Sequence, residues 1–279
     1  MNFIPGGSKA QRFAFELLSI IEWNDSGIKE VRKTMRCAVV SDVHANLEAF
    51  EAVLEQIDRI EVDKIVSLGD LVGYNANPNE CVKIVVERDI PTLMGNHDAA
   101  ASGLEDSVDF NPIAKDAILW TREVLQGEYR EFLSRQPEQR SLSGSVRLVH
   151  GSMLDRDHYL QTQYDFLENV RRMQEEKPQV RVLFYGHTHS QMALSCRDEA
   201  LSVVRSPRFR LEEENLYLIN PGSVGQPRDR DPRTSFLLYD DESDTVEFIR
   251  IPYNIAACAR KILSAGLPRE LADRLSQGW

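Results

Sequence analysis

Six histidines are spread through the 279 residues, and five of them fall in one kind of place. His44 lies in Ser41-Asp42-Val43-His44-Ala45-Asn46, and His97 in Gly95-Asn96-His97-Asp98. His150 stands just before Gly151, and His187 and His189 share Gly186-His187-Thr188-His189. Each stretch follows a short apolar run that reads as a strand, and so does Gly69-Asp70. Such a mixture of imidazole and carboxylate suits zinc, manganese or iron better than calcium, which prefers oxygen alone. One ion could hardly use all these ligands. Two ions sharing a carboxylate at ~3.5–4 Å, as in binuclear hydrolases, could use them. The His-x-His pair is the most specific single piece, because alternate residues of an extended chain face the same way. A lone Gly-Asp is an ordinary turn. It is the ordered series that points to a metal centre.

Positioning these groups requires strands that end at a common edge. From Arg36 the pattern alternates: a strand at Cys37 to Val40, a helix at Leu47 to Ile60 and a strand at Ile65 to Leu68. A helix at Pro78 to Glu87 and a strand at Pro91 to Met94 follow. Leu47, Phe50, Val53, Leu54 and Ile57 form the apolar face of the first helix, and Asn46 is placed to cap it. This repetition implies parallel strands with right-handed crossovers, whose ligands bind beyond the carboxyl ends of the strands. Asn111 to Arg135 reads as one helix. The second half is strand-rich, with strands at Val146 to Val149, Val180 to Tyr185, Leu216 to Ile219, Ser235 to Tyr239 and Val246 to Ile251. A helix at Tyr164 to Glu176 precedes the second of these, and helical patterning returns after Asn254. The change from crossovers to a meander predicts two sheets packed in one α/β domain.

The first 34 residues read as an extension outside that domain, which runs over 35–279. Phe13, Leu17, Ile20 and Ile21 recur at helical spacing, predicting a short amphipathic helix. Met35, directly before the first strand, is a candidate alternative start, which N-terminal sequencing of the native protein tests.

Composition narrows the function classes. Apolar residues at 42% and charged residues at 28% are ordinary globular usage. A net charge of −11 disfavours long nucleic acid and anionic membranes as partners, but not a small phosphorylated substrate. Bound cations reverse the sign of the field locally. Cys37, Cys81, Cys196 and Cys258 are scattered without a CxxC pair, which fits a reducing cytoplasm. No apolar run reaches the ~18 residues of a membrane span.

The series Asp42-x-His44, Gly69-Asp70, Gly95-Asn96-His97-Asp98, His150 and Gly186-His187-Thr188-His189 resembles the calcineurin-like metallophosphoesterase superfamily. Gly69 to Tyr74 (GDLVGY), Asn77 to Cys81 (NPNEC) and Asn220 to Asp229 (NPGSVGQPRD) further resemble its compact prokaryotic phosphodiesterase branch. The resemblance covers roughly Met35 to Ile251. It implies two packed mixed β-sheets flanked by helices, a four-layer α/β/β/α sandwich. It also implies two divalent transition-metal ions (Mn, Fe, Zn or Ni), one held by Asp42, His44, Asp70 and His189. The other would be held by Asp70, Asn96, His150 and His187, with Asp70 bridging. His97 matches the family's non-ligand histidine, which contacts the substrate phosphate, and Asp98 is expected to orient its ring by accepting a hydrogen bond. The implied reaction is hydrolysis of a phosphoester through a metal-bridging hydroxide, with a phosphodiester as the expected substrate.

Two residues are candidates for substrate contact. Tyr74 either walls the pocket or is a half-buried loop aromatic. Arg228 either grips a phosphate or carboxylate or belongs to a surface ion-pair cluster with Asp229, Arg230, Asp231 and Arg233. His158, in a polar run, reads as an exposed loop residue, and Gly222 and Ser223 as turn formers. The alternatives are a serine/threonine protein phosphatase, a dinucleoside polyphosphate hydrolase and a non-catalytic scaffold on the same fold. The loops Asp42 to Asn46 and Gly95 to Ala101 lack the arginines expected for gripping phosphoserine. The intact ligand series argues against a scaffold.

Overall fold

Strand β3 (Arg36–Val40) is apolar on both faces, and Cys37 to Val40 are fully buried. A strand buried on both sides must lie between two layers, and its alternation sorts them. Cys37 and Val39 pack toward a second sheet, while Ala38 and Val40 pack against helices. The structure, a computed structural model, describes residues 21–24, 27–30 and 34–279 except 109. The chain divides between Thr34 and Met35 into two units. In the first, β1 (Ile21–Asn24) pairs antiparallel with β2 (Gly27–Glu30). Residues 13–20 of the expected N-terminal helix lie outside the described residues, and Ile21, its last apolar position, is in a strand.

In the second unit β3 leads through helix α1 (Leu47–Ile60) to β4 (Lys64–Ser67), which lies parallel to it with Val39 opposite Val66. Asn46 caps α1 by accepting from the Ala49 N–H at 3.1 Å. Helix α2 (Pro78–Glu87) follows. Residues Pro91 to Met94 do not form the expected full strand. They reduce to a single parallel bridge between Ser67 and Thr92, because the chain leaves the sheet to enter helix α3 (Asn96–Ser102). The expected long helix at Asn111 to Arg135 is two helices, α4 (Pro112–Val124) and α5 (Gly127–Ser134). Extended backbone at Leu125 and Gln126 breaks it.

The second sheet takes β5 (Gln139–Ser143), β6 (Val146–Val149), β7 (Val182–Phe184), β8 (Met192–Arg197), β9 (Ala200–Val203) and β11 (Leu216–Asn220). Its order is β5-β6-β7-β11-β8-β9, with β6, β7 and β11 parallel at its centre. Helix α6 (Gln163–Glu175) connects β6 to β7. The first sheet is completed by β10 (Arg208–Arg210), β12 (Thr234–Asp240) and β13 (Thr245–Ile251), in the order β10-β13-β12-β3-β4. Both sheets are therefore mixed.

One core lies between them, where Cys37, Val39, Leu237 and Tyr239 meet Leu148, Val182, Phe184 and Ile219. The outer face of the first sheet packs on Phe50, Val53 and Ile57 of α1. The outer face of the second packs on Phe166, Val170 and Met173 of α6 through Leu183, Tyr185 and Leu218. This is the four-layer α/β/β/α arrangement. Helices α7 (Ile255–Ser264) and α8 (Arg269–Leu275) pack beside α4 and Tyr74. No helix among the described residues is long and apolar enough to cross a membrane.

Candidate metal centre

The ends of β3, β4, β6 and β7 and the start of α3 come to one place. Asp42, His44, Asp70 and His189 place one ligand atom each within 4.8 Å of one another, and so do Asp70, His150 and His187. Asp70 belongs to both groups, and each of these six side chains is buried. Asp42, His44, Asp70, His187 and His189 all hold left-handed backbone, with φ between 48° and 63°. That conformation costs a side-chain-bearing residue on the order of 1 kcal/mol. It is enforced by the crossing of loops: the His44 and Ala45 N–H groups donate to the Asp70 and Leu71 carbonyls, and the Val224 and Gly225 N–H groups donate to Ser41 and Asp42. Gly95 is required here, since a Cβ on it would lie 2.0 Å from Asp70 Oδ1.

Each imidazole is oriented by a main-chain carbonyl. His44 Nδ1 lies 3.0 Å from the Val72 oxygen and His150 Nδ1 2.9 Å from that of Leu68. His189 Nδ1 lies 2.7 Å from the Gln226 oxygen and His187 Nε2 2.9 Å from that of Asp157. A carbonyl only accepts, so those nitrogens carry the protons and the opposite ones present lone pairs. The lone pairs then face each other: His44 Nε2 is 3.0 Å from His189 Nε2, and His150 Nε2 is 3.1 Å from His187 Nδ1. Two acceptors at that distance need a cation or an extra proton between them.

The carboxylates supply the same signature. Asp42 Oδ2 accepts from Ser41 Oγ and the His187 N–H, while Oδ1 has no hydrogen-bond partner and lies 3.2 Å from His189 Nε2. Asp70 Oδ1 accepts from the His97 N–H at 2.9 Å. Its Oδ2 is without a hydrogen-bond partner, 3.3 Å from His150 Nε2 and 3.5 Å from His44 Nε2. Asn96 Oδ1 is also buried without a partner. Unpaired buried oxygens beside converging imidazole lone pairs fit divalent cations bound by nitrogen and oxygen.

Charge follows the same geometry. Burial would raise the Asp70 pKa, yet the charges of His150, His97 and His44 hold it well below the carboxylate range. Burial drives His44 and His187 down, His187 to about 3. Burial also acts on His150, but the Asp70 carboxylate outweighs it and lifts that ring to about 9.

His97 lies outside both ligand groups, against His44, Tyr74 and Phe110 with ring centres 4.7, 4.4 and 4.8 Å away. Its Nδ1 is buried without a partner and is packed so closely that a Cβ on Gly73 would lie 2.4 Å from it. That leaves Nε2 to face a ligand. Asp98 does not orient this ring. Its Oδ1 accepts from the Leu71 and Val72 N–H groups and its Oδ2 from Gly95. It ties the Asp70 loop to the start of α3, which the pattern Asn-His-Asp alone does not reveal. Burial, with the nearby Asp70 charge, pushes the Asp98 carboxyl up to about 7.

Tyr74 is buried against His44 and His97, and its hydroxyl accepts from Arg228 at 3.2 Å. Arg228 turns inward and leaves the surface ion pairs to Arg233 with Asp231 and Arg250 with Asp229. His158 is an exposed loop residue paired with Asp165 at 3.2 Å. Three residues near the centre have no sequence signal of their own: Phe110 on His97, Tyr159 with its ring centre 3.8 Å from that of His187, and Arg274 near Tyr74. Tyr159 directly follows His158 in the polar run, and it is Tyr159, not the histidine, that packs on the centre.

Comparison with known proteins agrees with this geometry. Residues 35–244 match the calcineurin-like phosphoesterase superfamily domain. An uncharacterised protein of Methanocaldococcus jannaschii, MJ0912, is 35% identical over 244 residues, covering 86% of this chain and 97% of that one. The crystal structure of a metallophosphoesterase from Sphaerobacter thermophilus is similar at 37% identity and a TM-score of 0.73, covering 88% of this chain and all of that one. A hypothetical protein of Pyrococcus horikoshii, PH1004, shares the fold at 21% identity and a TM-score of 0.72, covering 88% of this chain and 98% of that one. The chain belongs to the calcineurin-like phosphoesterase superfamily.

Proposed function

We propose that this chain is a cytoplasmic phosphodiesterase acting on a small phosphorylated substrate with two divalent transition-metal ions, manganese being the first to test. The observation that carries the reading is the double pair of facing imidazole lone pairs flanking Asp70, whose outer oxygen has no hydrogen-bond partner. Asp42, His44, Asp70 and His189 would hold one ion, and Asp70, Asn96, His150 and His187 the other. Bound there, the ions would supply Lewis acidity toward the phosphate oxygens and acidify an attacking water. The carbonyls of Val72, Leu68, Gln226 and Asp157 fix the tautomers that make this possible.

The chain's own groups do the rest. His97 offers an Nε2–H to the substrate phosphate or its departing oxygen, a role typically worth ~10²–10⁴-fold. Burial, only partly offset by Asp70, sets its pKa near 4, so in the free protein the ring is neutral at physiological pH and acts as a donor. Tyr74 and Phe110 hold that ring and keep water from its faces. Arg228 lies beside Tyr74, where it can meet an anionic group. The absence of arginine from Asp42 to Asn46 and from Gly95 to Ala101 favours a diester over a phosphoprotein. The net charge of −11 disfavours long nucleic acid.

Hydrolysis of bis-p-nitrophenyl phosphate and p-nitrophenyl phosphate tests this directly. Metal-stripped protein should be inactive, and reloading should restore diester turnover above monoester turnover. Equal activity without metal, or turnover of the monoester alone, would overturn the proposal.

A further inference from the structure

Two arginines converge on Tyr74 at the rim of the centre, and neither has an aspartate or glutamate within ion-pair distance among the described residues. Arg228 Nη2 donates to the Tyr74 hydroxyl at 3.2 Å and to Gln226 Oε1 at 3.1 Å, and Tyr159 lies near enough to act on its charge. Its Nε is buried with no hydrogen-bond partner. Arg274, from helix α8, places its guanidinium carbon 5.9 Å from the centre of the same ring, against 5.7 Å for Arg228. Its Nε donates to an oxygen of Trp279, the last residue of the sequence.

Their neighbours behave differently. Arg233 and Arg250 are spent on Asp231 and Asp229, and Arg230 lies over the Trp279 ring at 4.4 Å. In a chain with 44 acidic and 33 basic residues, carboxylates are not scarce. Two like charges close together, half-buried, lower each other's stability unless an anion joins them. Among the described residues the side-chain hydrogen bonds of Arg228 go to the Tyr74 phenol and Gln226, neutral acceptors that leave its positive charge available.

We propose that Arg228 and Arg274, with the hydroxyl of Tyr74, form a phosphate subsite beside the metal centre, so that the preferred substrate carries a second phosphate next to the scissile diester. This rests on the phosphodiesterase reading for the reacting group but makes a separate claim about recognition. Guanidinium forks match phosphate oxygens in pairs, and the two charges match a dianion. The subsite lies on the Tyr74 side, next to His189, whose carbonyl accepts from the Arg228 N–H at 3.1 Å.

The test compares ligands that differ only in the second phosphate, on the full chain loaded with manganese. Thymidine 3′,5′-bisphosphate and thymidine 5′-phosphate are titrated calorimetrically. The p-nitrophenyl esters of the same two nucleotides, each formed at the 5′-phosphate, are compared as substrates. The bisphosphate should bind roughly 10- to 100-fold more tightly, the range of one charge-assisted contact, with a matching gain in kcat/KM carried by KM. Arg274→Gln and Arg228→Gln should each bring the binding ratio to within about threefold of one, while Arg274→Lys retains part of it. Circular dichroism and manganese content establish that each variant is folded and loaded, and either variant suffices. Equal binding by the parent protein, or a ratio that survives both substitutions, would overturn the proposal. Should neither ester be hydrolysed while the binding ratio holds, the subsite stands and the reaction assignment fails.

Discussion

Replacing Asp70 by asparagine separates the metal requirement from the fold. The carboxylate sits between two imidazole pairs, with Oδ1 bound to the His97 N–H and Oδ2 3.3–3.5 Å from His150 and His44 Nε2. In Asp70→Asn the amide oxygen keeps the His97 contact, and the amide nitrogen takes the place of Oδ2. Its two hydrogens then point at two imidazole acceptors that previously faced a carboxylate. Above about pH 9, where the metal-free parent's His150 has lost the extra proton that pairs with Asp70, both rings are acceptors and the metal-free variant should melt at or above the temperature of the metal-free parent. The parent should gain from metal. A cation at 100 times its Kd contributes ~2.7 kcal/mol, so two contribute roughly 5 kcal/mol. For a domain of this size each kcal/mol is worth roughly 2–4 °C, giving a rise of about 10–20 °C. Asp70→Asn loses the shared ligand, and its rise should fall to under about 5 °C. Differential scanning calorimetry of stripped and manganese-loaded protein reads both quantities. A variant that keeps the parent's metal-induced rise would refute the bridging role. Above about pH 9, a metal-free variant that melts far below its parent would refute the account of the lone pairs.

Further outcomes follow from the same geometry. In the metal-free protein His150 is lifted to about 9, so it is protonated at neutral pH and its contribution to the fold fades as pH rises through 9. Metal must displace that proton, so the apparent manganese affinity should rise about tenfold per unit between pH 7 and 9 and then level off. Titration in buffers of different ionisation enthalpy checks this, and a flat profile contradicts it. His97→Ala should lower kcat by ~10²–10⁴-fold while two metals remain bound by elemental analysis. Loss of metal from that variant would make His97 a ligand. Gly95→Ala would force a methyl against Asp70 Oδ1 and the Asp70 N–H, 2.0 and 2.5 Å away. It should cost ~1–3 kcal/mol in chemical denaturation and weaken metal binding, where an unaltered midpoint would show that the two loops can part.

Much of this architecture is legible along the chain, and the exceptions have physical causes. Cys37 to Val40 reads as a strand because it is apolar on two faces, and burial on two faces is what places it inside a layered sandwich, while in Val146 to Val149 only Arg147 interrupts the apolar run. The strands β5 and β10 have little apolar signal, since they lie at sheet edges and most of their residues are polar and exposed or half-exposed. The helix breaks at Leu125 and Gln126, and the glycine that marks the break, Gly127, opens the next helix, so apolar periodicity runs on through it. The seven candidate ligands stand out because histidine is rare in this chain and recurs in equivalent loops. The partners that act from a distance do not. Asp98 looks like a residue for orienting His97 because it is adjacent in sequence, yet left-handed backbone at Asp70 brings the N–H groups of Leu71 and Val72 to it instead. Arg274 reaches Tyr74 only because α7 and α8 pack back against α4, 200 residues later in the chain than Tyr74 itself.

Metal stoichiometry of turnover bears most directly on the central claim. Stripped protein is titrated with manganese while bis-p-nitrophenyl phosphate hydrolysis and bound metal are recorded on the same samples. The geometry of two ligand groups joined at Asp70 predicts little activity with one ion per chain, full activity near two, and no such rise in Asp70→Asn. Full activity at one ion per chain, or turnover indifferent to metal, would contradict it.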